Sequence, residues 1–493
     1  EGLHISSPVT YTYSGVTSWN NVHLSGNLVV GVNCDLTMGM GSASGTVVVG
    51  QFSIVKTVAV LTAYVVDRGV PVSGAQLSVV GTSSTLTTDN SGTVTFTSTG
   101  MLAEYGFESG GTDVSFEGEK MVHLSIPSSG ISDQKVWDTN NSETTLTFVA
   151  STLQGGSLTD WVILDSEWSP YYLSHDVTIL GGGTLQMADG SNLKVTDGKS
   201  ITVEGVFTVG KSTIQGSDWE GITVKDKSTA TFSVNGGHIL NAREALSVSG
   251  QATVTLTGAE LANSIDGIIT ITDQGGNSPS VTISNTVMRN GGLYCISVSD
   301  NLGTDTVNLL LNDVELSDCG DDGVRIIGAS VDATDVTISG TDTGSGNTRG
   351  IYAIDAAGSI NGLYADDHDG DGAVLQIIEQ TSELTISNVH ASSGVNSAAI
   401  VIEDSVNFAI SSSNFTGHAI HLIKSVGSIS DVNMVGGVSD SAITIERTKS
   451  TGEVIITNSQ STGYGIGLEL SGINGNNAVR SISNIWGANN SIV

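Results

Sequence analysis

Basic residues are scarce in this chain of 493 residues: 17 Lys and Arg stand against 50 Asp and Glu, a net charge of −33. Phosphate backbones and anionic lipid headgroups repel such a surface, which excludes nucleic acid and an anionic membrane face as partners. Proline (5) and aromatic residues (5%) are also few, and charged residues make up only 14%, against about 25% in an ordinary globular protein. The three cysteines, Cys34, Cys295 and Cys319, are too few for a multi-bridge framework and show no CxxC zinc spacing. No apolar run reaches the roughly 18 residues of a membrane span; the most apolar stretch, Val58 to Val66, is interrupted by Thr62. The chain does not open on a basic segment followed by an apolar one. Glu1 is therefore expected to be the mature end of a secreted, cell-surface protein.

What is abundant is glycine (62), with Ser, Thr, Asn, Val and Ile filling most of the rest. That mixture favours many short strands joined by tight polar turns. From residue 219 onward a small residue followed by alternating apolar positions recurs. It reads Gly221-Ile222-Thr-Val224, Ala245-Leu246-Ser-Val248, Gly323-Val324-Arg-Ile326, Ala399-Ile400-Val-Ile402 and Ala442-Ile443-Thr-Ile445. Further anchors at Ile268, Leu293, Ile351, Val374, Ile420 and Ile466 complete eleven units. Their mean spacing is roughly 24 residues, a period that marks a solenoid. Cys295 and Cys319 stand about one such unit apart, so they are expected as near neighbours and as buried free thiols. Asn285, Asn312, Asn361, Asn388, Asn414 and Asn458 precede many of these strands and read as stacked corner residues. A unit of this length cannot enclose a core alone. Stacked at the ~4.8 Å strand spacing, it pairs every backbone group with the coils above and below and buries a continuous apolar column. The fold class expected is all-β: a parallel β-helix of about eleven to thirteen coils. A β-sandwich array would need units nearer 90–100 residues.

The segment Tyr171-Tyr172-Leu173 to Val177-Thr-Ile179, with Ser191-Asn-Leu193-Lys-Val195, Ile201-Thr-Val203 and Trp219-Glu-Gly221-Ile222, resembles the opening coils of right-handed β-helix cell-surface proteins of the pectin-lyase-like superfamily. The resemblance covers roughly 165–480 and implies a fold, not a function. Upstream, Asp67-Arg-Gly69-Val-Pro71-Val-Ser-Gly74-Ala75 and Thr88-Asp89-Asn-Ser-Gly92 resemble the carboxypeptidase-regulatory-like, immunoglobulin-type β-sandwich, which implies a spacer or adhesion module. The expected domains are a β segment over 1–54, a sandwich over 55–150 and the β-helix over 151–493, with Ser151–Ser157 as linker. Residues 1–54 alternate like β-helix coils but make at most two. They are expected to need a partner: the sandwich, the chain's own β-helix, or another copy in a head-to-tail homo-polymer.

Candidate chemistry is sparse. Asp367, Asp369 and Asp371 fit the first half of a calcium loop, but the acid due at its twelfth position is replaced by Ile378. They are read either as calcium ligands or as an acidic, solvated corner. Calcium is the one cofactor considered. Asn140, Asn414 and Asn489 open N-x-S/T sequons and permit glycosylation. Asp321-Asp322-Gly323 resembles the paired-Asp turn of polygalacturonases, β-helices that hydrolyse with carboxylates. The companion motifs of that family are missing, since the adjoining coils read Asn290-Gly-Gly292 and Asn347-Thr-Arg-Gly350. His418 and His421, three apart on an expected strand, should face opposite sides. No catalytic residue is therefore assigned, and the chain is expected not to be an enzyme. The leading expectation is an extracellular structural subunit of a surface layer or filament, or an adhesin, with cell-surface carbohydrate as a further partner. The alternative is a polysaccharide-binding or polysaccharide-cleaving β-helix.

Overall fold

The computed structural model describes residues 3–486 apart from 14–15, 44–45, 50–53, 81–84, 105–111, 115–118, 128–130, 139–142, 226–228, 274–277, 301–306, 340–348, 366–371, 393–397, 437–440, 447–451 and 473–477. All its regular elements are strands. They form two compact units, one of residues 1–153 with 170–172, the other of 154–169 with 173–493.

In the first unit, residues 3–58 are a parallel stack with a nineteen-residue period. Leu3 pairs with Val22, Val9 with Leu28, Leu28 with Val47, and Asp35 with Ile54. Alternate residues Leu28, Val30, Leu36 and Met38 point inward and are fully buried. The stack has a partner in its own chain. The long strand Ile54–Asp67 continues it along one edge, where Glu143–Val149 pairs parallel farther on, and along its other edge pairs antiparallel with Thr93–Glu104. No boundary falls at residue 54. The same strand faces an antiparallel sheet of Gln76–Val79, Thr85–Thr87, Glu119–Ile126 and Ile131–Asp138. Leu61, Leu77, Leu124, Trp137 and Phe148 close the core between them. Tyr172 packs into that core, and burial first, then the Asp133 charge, push its phenol well above the ordinary range. The two sheets make a sandwich; its identity as the immunoglobulin type is not shown by them.

The second unit is a parallel β-helix. One face is a sheet of fourteen strands from Gly156–Leu158 to Ile466–Ser471; two further columns, joined at a corner, form a second sheet. The segment expected as a linker thus supplies the first strand of the fourteen, Gly156 pairing with Val177. Ile222, Leu246, Ile269, Ile296, Val324 and Ile351 occupy one register position, which runs on to Leu468. All of these side chains are at most 3% exposed. Four expected anchors are displaced: Ile268 and Val374 by one residue, Ile466 by two, and Leu293 by three. Leu293 is a surface residue, and the inward position belongs to Ile296.

The small residue before the anchor has a steric cause. A Cβ on Gly323 would stand 2.6 Å from the Gly350 carbonyl oxygen, and one on Gly350 would stand 2.5 Å from that of Val374. The coils approach here more closely than any side chain allows. A second signature is a file of left-handed corners, one per coil, at Asn285, Asp313, Asp335, Gly362, Asn388, Ser412, Asp431 and Asn458. Three of the six expected corner asparagines belong to it. Asn312 and Asn361 sit one residue early and Asn414 two late, because Asp, Gly and even Ser fill the same backbone conformation. Cys295 and Cys319 are joined in a disulfide with their Cα atoms 5.4 Å apart, so the expectation of free thiols is corrected; one coil of separation places them side by side. Cys34 is a buried thiol.

Candidate functional site

The outward side of the fourteen-strand sheet gathers most of the unusual side chains. Because Val324 and Ile326 point inward, Arg325 points out, and register carries that outward position from Thr270 and Ser297 through Arg325 to Tyr352 and Gln376. A parallel file, three residues earlier, holds Tyr294, Asp322 and Arg349. All but Asp322, which is buried, are half-buried between the coils above and below, and in that sense the face is recessed.

At its centre Arg349 meets Asp322 as a fork. Nε donates to Oδ1 at 2.7 Å and Nη2 to Oδ2 at 3.2 Å, while Nη1 donates to Gln376 Oε1 at 3.4 Å. The Asp322 side chain is only 2% exposed and that of Arg349 17%. Burial raises the Asp322 carboxyl above the ordinary range. The hydrogen bonds and charge of Arg349, and the charge of Arg325, oppose that rise without cancelling it. The Arg349 guanidinium lies 3.6 Å from the centre of the Tyr352 ring, and Arg325 stands 5.9 Å from the same ring. In a chain with so few basic residues, two guanidiniums converge on one aromatic ring.

Toward the N-terminal coils, Thr270 donates to Glu244 and lies 2.9 Å from the Tyr294 hydroxyl. Burial raises the Glu244 carboxyl, the Thr270 hydrogen bond lowers it, and the nearby Asp266 charge raises it further. Toward the C-terminal coils, His418 and His421 stack with ring centroids 5.9 Å apart. His418 Nε2 is 3.2 Å from Thr444 Oγ1, and His421 Nε2 is 3.5 Å from Glu446. They share a face, contrary to expectation. Strand alternation begins only at Ile420, and His418 belongs to the turn before it. The face thus carries two carboxyls held toward their neutral form, a tyrosine hydroxyl, an amide, two cations and an aromatic ring. Such groups can donate and accept hydrogen bonds in both directions, and burial lets Asp322 and Glu244 hold a proton to higher pH than an ordinary carboxyl does.

Of the residues singled out from sequence, Asp322 lies in this cluster. Asp367, Asp369 and Asp371 fall outside the described residues, as do Asn140 and Asn489. Asn414 is exposed on the strand Asn414–Thr416. Among the described residues no group of three His, Cys, Asp or Glu could hold a metal ion. Glu244, Tyr294, Arg349 and Tyr352 were missed as site residues. The one signal was spacing: Tyr294, Asp322 and Arg349 follow one another at intervals of one coil each.

No family model matches this chain, and no curated protein does. Solved structures similar to it include the catalytic unit of a GH87 α-1,3-glucanase from Streptomyces thermodiastaticus (12% identity, 88% of each chain covered, TM-score 0.39). A periplasmic alginate epimerase double mutant is 11% identical over 68% of this chain and 84% of its own, with a TM-score of 0.36. PfbA, a surface adhesin of Streptococcus pneumoniae, is 10% identical over 69% of this chain and 84% of its own, with a TM-score of 0.25. The expectation that the chain is not an enzyme is corrected by these matches. Two of the three are catalytic proteins. At such identities the matches do not establish an activity either.

Proposed function

We propose that this chain is an extracellular β-helix protein that binds polysaccharide along the recessed face of its fourteen-strand sheet. The observation that carries the reading is the cluster of Asp322, Arg349, Arg325 and Tyr352, a desolvated ion pair beneath an aromatic ring flanked by cations. An aromatic face takes the C–H side of a sugar ring, while fork-shaped and amide groups beside it take hydroxyls or carboxylates. The outward positions repeat from coil to coil with a different polar or aromatic side chain in each, which suits an extended polymer contacted along several coils. The Cys295–Cys319 disulfide supports an oxidising, extracellular setting. The filament-subunit reading has lost its main motive, since the strands of 1–54 are stacked on their own chain.

Affinity electrophoresis against soluble acidic and neutral polysaccharides tests the proposal. Wild type should be retarded by at least one of them, and Arg325→Ala and Tyr352→Ala should weaken that retardation at least tenfold. Retardation by none, or unchanged retardation of both variants, would sink it. Following reducing ends and unsaturated products in the same mixtures separates binding from cleavage: products that vanish in Asp322→Asn assign it the proton-transferring role.

A further inference from the structure

The file of left-handed corners has a gap. Each corner from Asn285 to Asn458 carries a polar side chain except Gly362, where the backbone holds φ +80 with no side chain at all. A cleft of about 330 Å³ opens at this place, on the second sheet. Tyr364, 46% exposed, forms one wall, with His390 directly across the register and Asn414 beyond it. Asp335 and Asn388, the corners before and after the gap, and Asn361 edge the opening.

The chemistry of the cleft selects among ligands. Among the described residues no lysine or arginine lines it, and the protein carries a net charge of −33, so an anion is disfavoured. A metal ion is poorly served as well. Among the described residues the only carboxylate lining the cleft is that of Asp335, and the Asn361 side-chain oxygen already accepts from Ser387 Oγ at 3.1 Å and from Asn388 Nδ2 at 2.5 Å. What remains is an exposed aromatic ring beside a carboxylate, amides and hydroxyls. A volume of 330 Å³ lies at the lower end of the range for small-molecule sites. We infer that the notch at Gly362 is a second binding site, independent of the recessed face, that takes one or two residues of a neutral sugar stacked on Tyr364. The ring covers the C–H face of the pyranose, while Asp335 and Asn388 accept from and donate to its vicinal hydroxyls.

The inference is testable by saturation-transfer NMR with methyl glycosides of the common neutral hexoses, on protein whose mass shows no glycan at Asn414. At least one glycoside should bind wild type. Tyr364→Ala removes an exposed ring and should weaken binding at least tenfold with an unchanged circular dichroism spectrum. Gly362→Asn adds a Cβ that would collide with Asp335 Oδ1, so it drives that carboxylate from its place in the notch and should weaken binding similarly. Tyr352→Ala, on the recessed face, should bind as wild type does, so failure of this site and failure of the polysaccharide face are read separately. Binding of no glycoside, undiminished binding by Tyr364→Ala, or equal loss in Tyr352→Ala would overturn the inference.

Discussion

The chain contains two parallel stacks with different coil lengths. Residues 3–58 advance by nineteen residues per coil, while the long stack advances by 20 to 28 along the column from Ile222 to Leu468. A nineteen-residue coil contributes two strands, one to each of two sheets. The longer coil has room for a third strand and for the left-handed corner that introduces it. The difference of roughly five residues is one short strand. The tight corner matters as much as length, because the coil from Ile400 to Ile420 fits three strands into 20 residues with Ser412 at its corner; the number of faces sets what the stack can do. Two faces make a short layer that must be continued by the sandwich strand Ile54–Asp67. Three faces enclose their own column and leave outward surfaces free to carry the Arg349 cluster and the Gly362 notch.

The comparison implies different responses to damage. In the long stack each coil touches mainly its neighbours, so a cavity is felt locally. Phe207 and Phe232 face each other across one coil step with centroids 5.3 Å apart, and both are fully buried. Phe232→Ala should cost about 3–5 kcal/mol, read as early, localised hydrogen exchange around coils 206–257 with the rest of the stack intact. Leu36→Ala in the short stack should cost about 2–5 kcal/mol and should instead lower the melting of the whole first unit, because its stack and sandwich share one strand. A long stack that melts as one block in Phe232→Ala would break the distinction.

A smaller effect is expected from the disulfide, which closes a loop of sequence separation 24. Replacing both cysteines by serine should cost about 3 kcal/mol and loosen the step between the coils that carry Tyr294 and Asp322. Thermal melting of the second unit, with and without reductant, measures it; identical curves would show that stacking alone holds these coils.

The smallest effect is electrostatic. Burial raises the Glu244 carboxyl, so the folded chain holds this proton at pH values where the unfolded chain has released it. Folding then binds protons, and stability contributed by the neutral acid is lost as pH rises out of the ordinary carboxylate range. Glu244→Gln keeps the neutral form at every pH. Its melting temperature should exceed that of wild type at pH 7 by a few degrees and match it near pH 4; a variant less stable at pH 7 would contradict this.

Much of the long stack was legible in sequence because its constraints repeat. The close carbonyl approach at Gly323 and Gly350 demands a small residue there, most other coils carry one at the same position (Ile268 and Val374 being exceptions), and the buried column demands alternating Val, Ile and Leu. Register within a coil was less legible. The left-handed corner tolerates Asp313, Gly362 and Ser412 as well as asparagine, so a search for Asn misplaced it. The Leu293 anchor failed because an apolar residue after Gly-Gly mimicked the pattern while exposed. The short stack was visible as alternation but not as a stack, since three coils give too few repeats to establish a period. The recessed face was almost invisible. Its members stand one per coil, far apart along the chain, and only the register of neighbouring strands brings Tyr294, Asp322 and Arg349 into one file.

The most direct measurement is hydroxyl-radical footprinting of the protein bound to a polysaccharide that retards it, read by mass spectrometry at single residues. Tyr294 and Tyr352 should be protected, while Trp161, 68% exposed and far along the stack from that cluster, should oxidise at its free rate. Retained binding with Tyr294 and Tyr352 oxidising as fast as in the free protein would contradict the assignment of the recessed face.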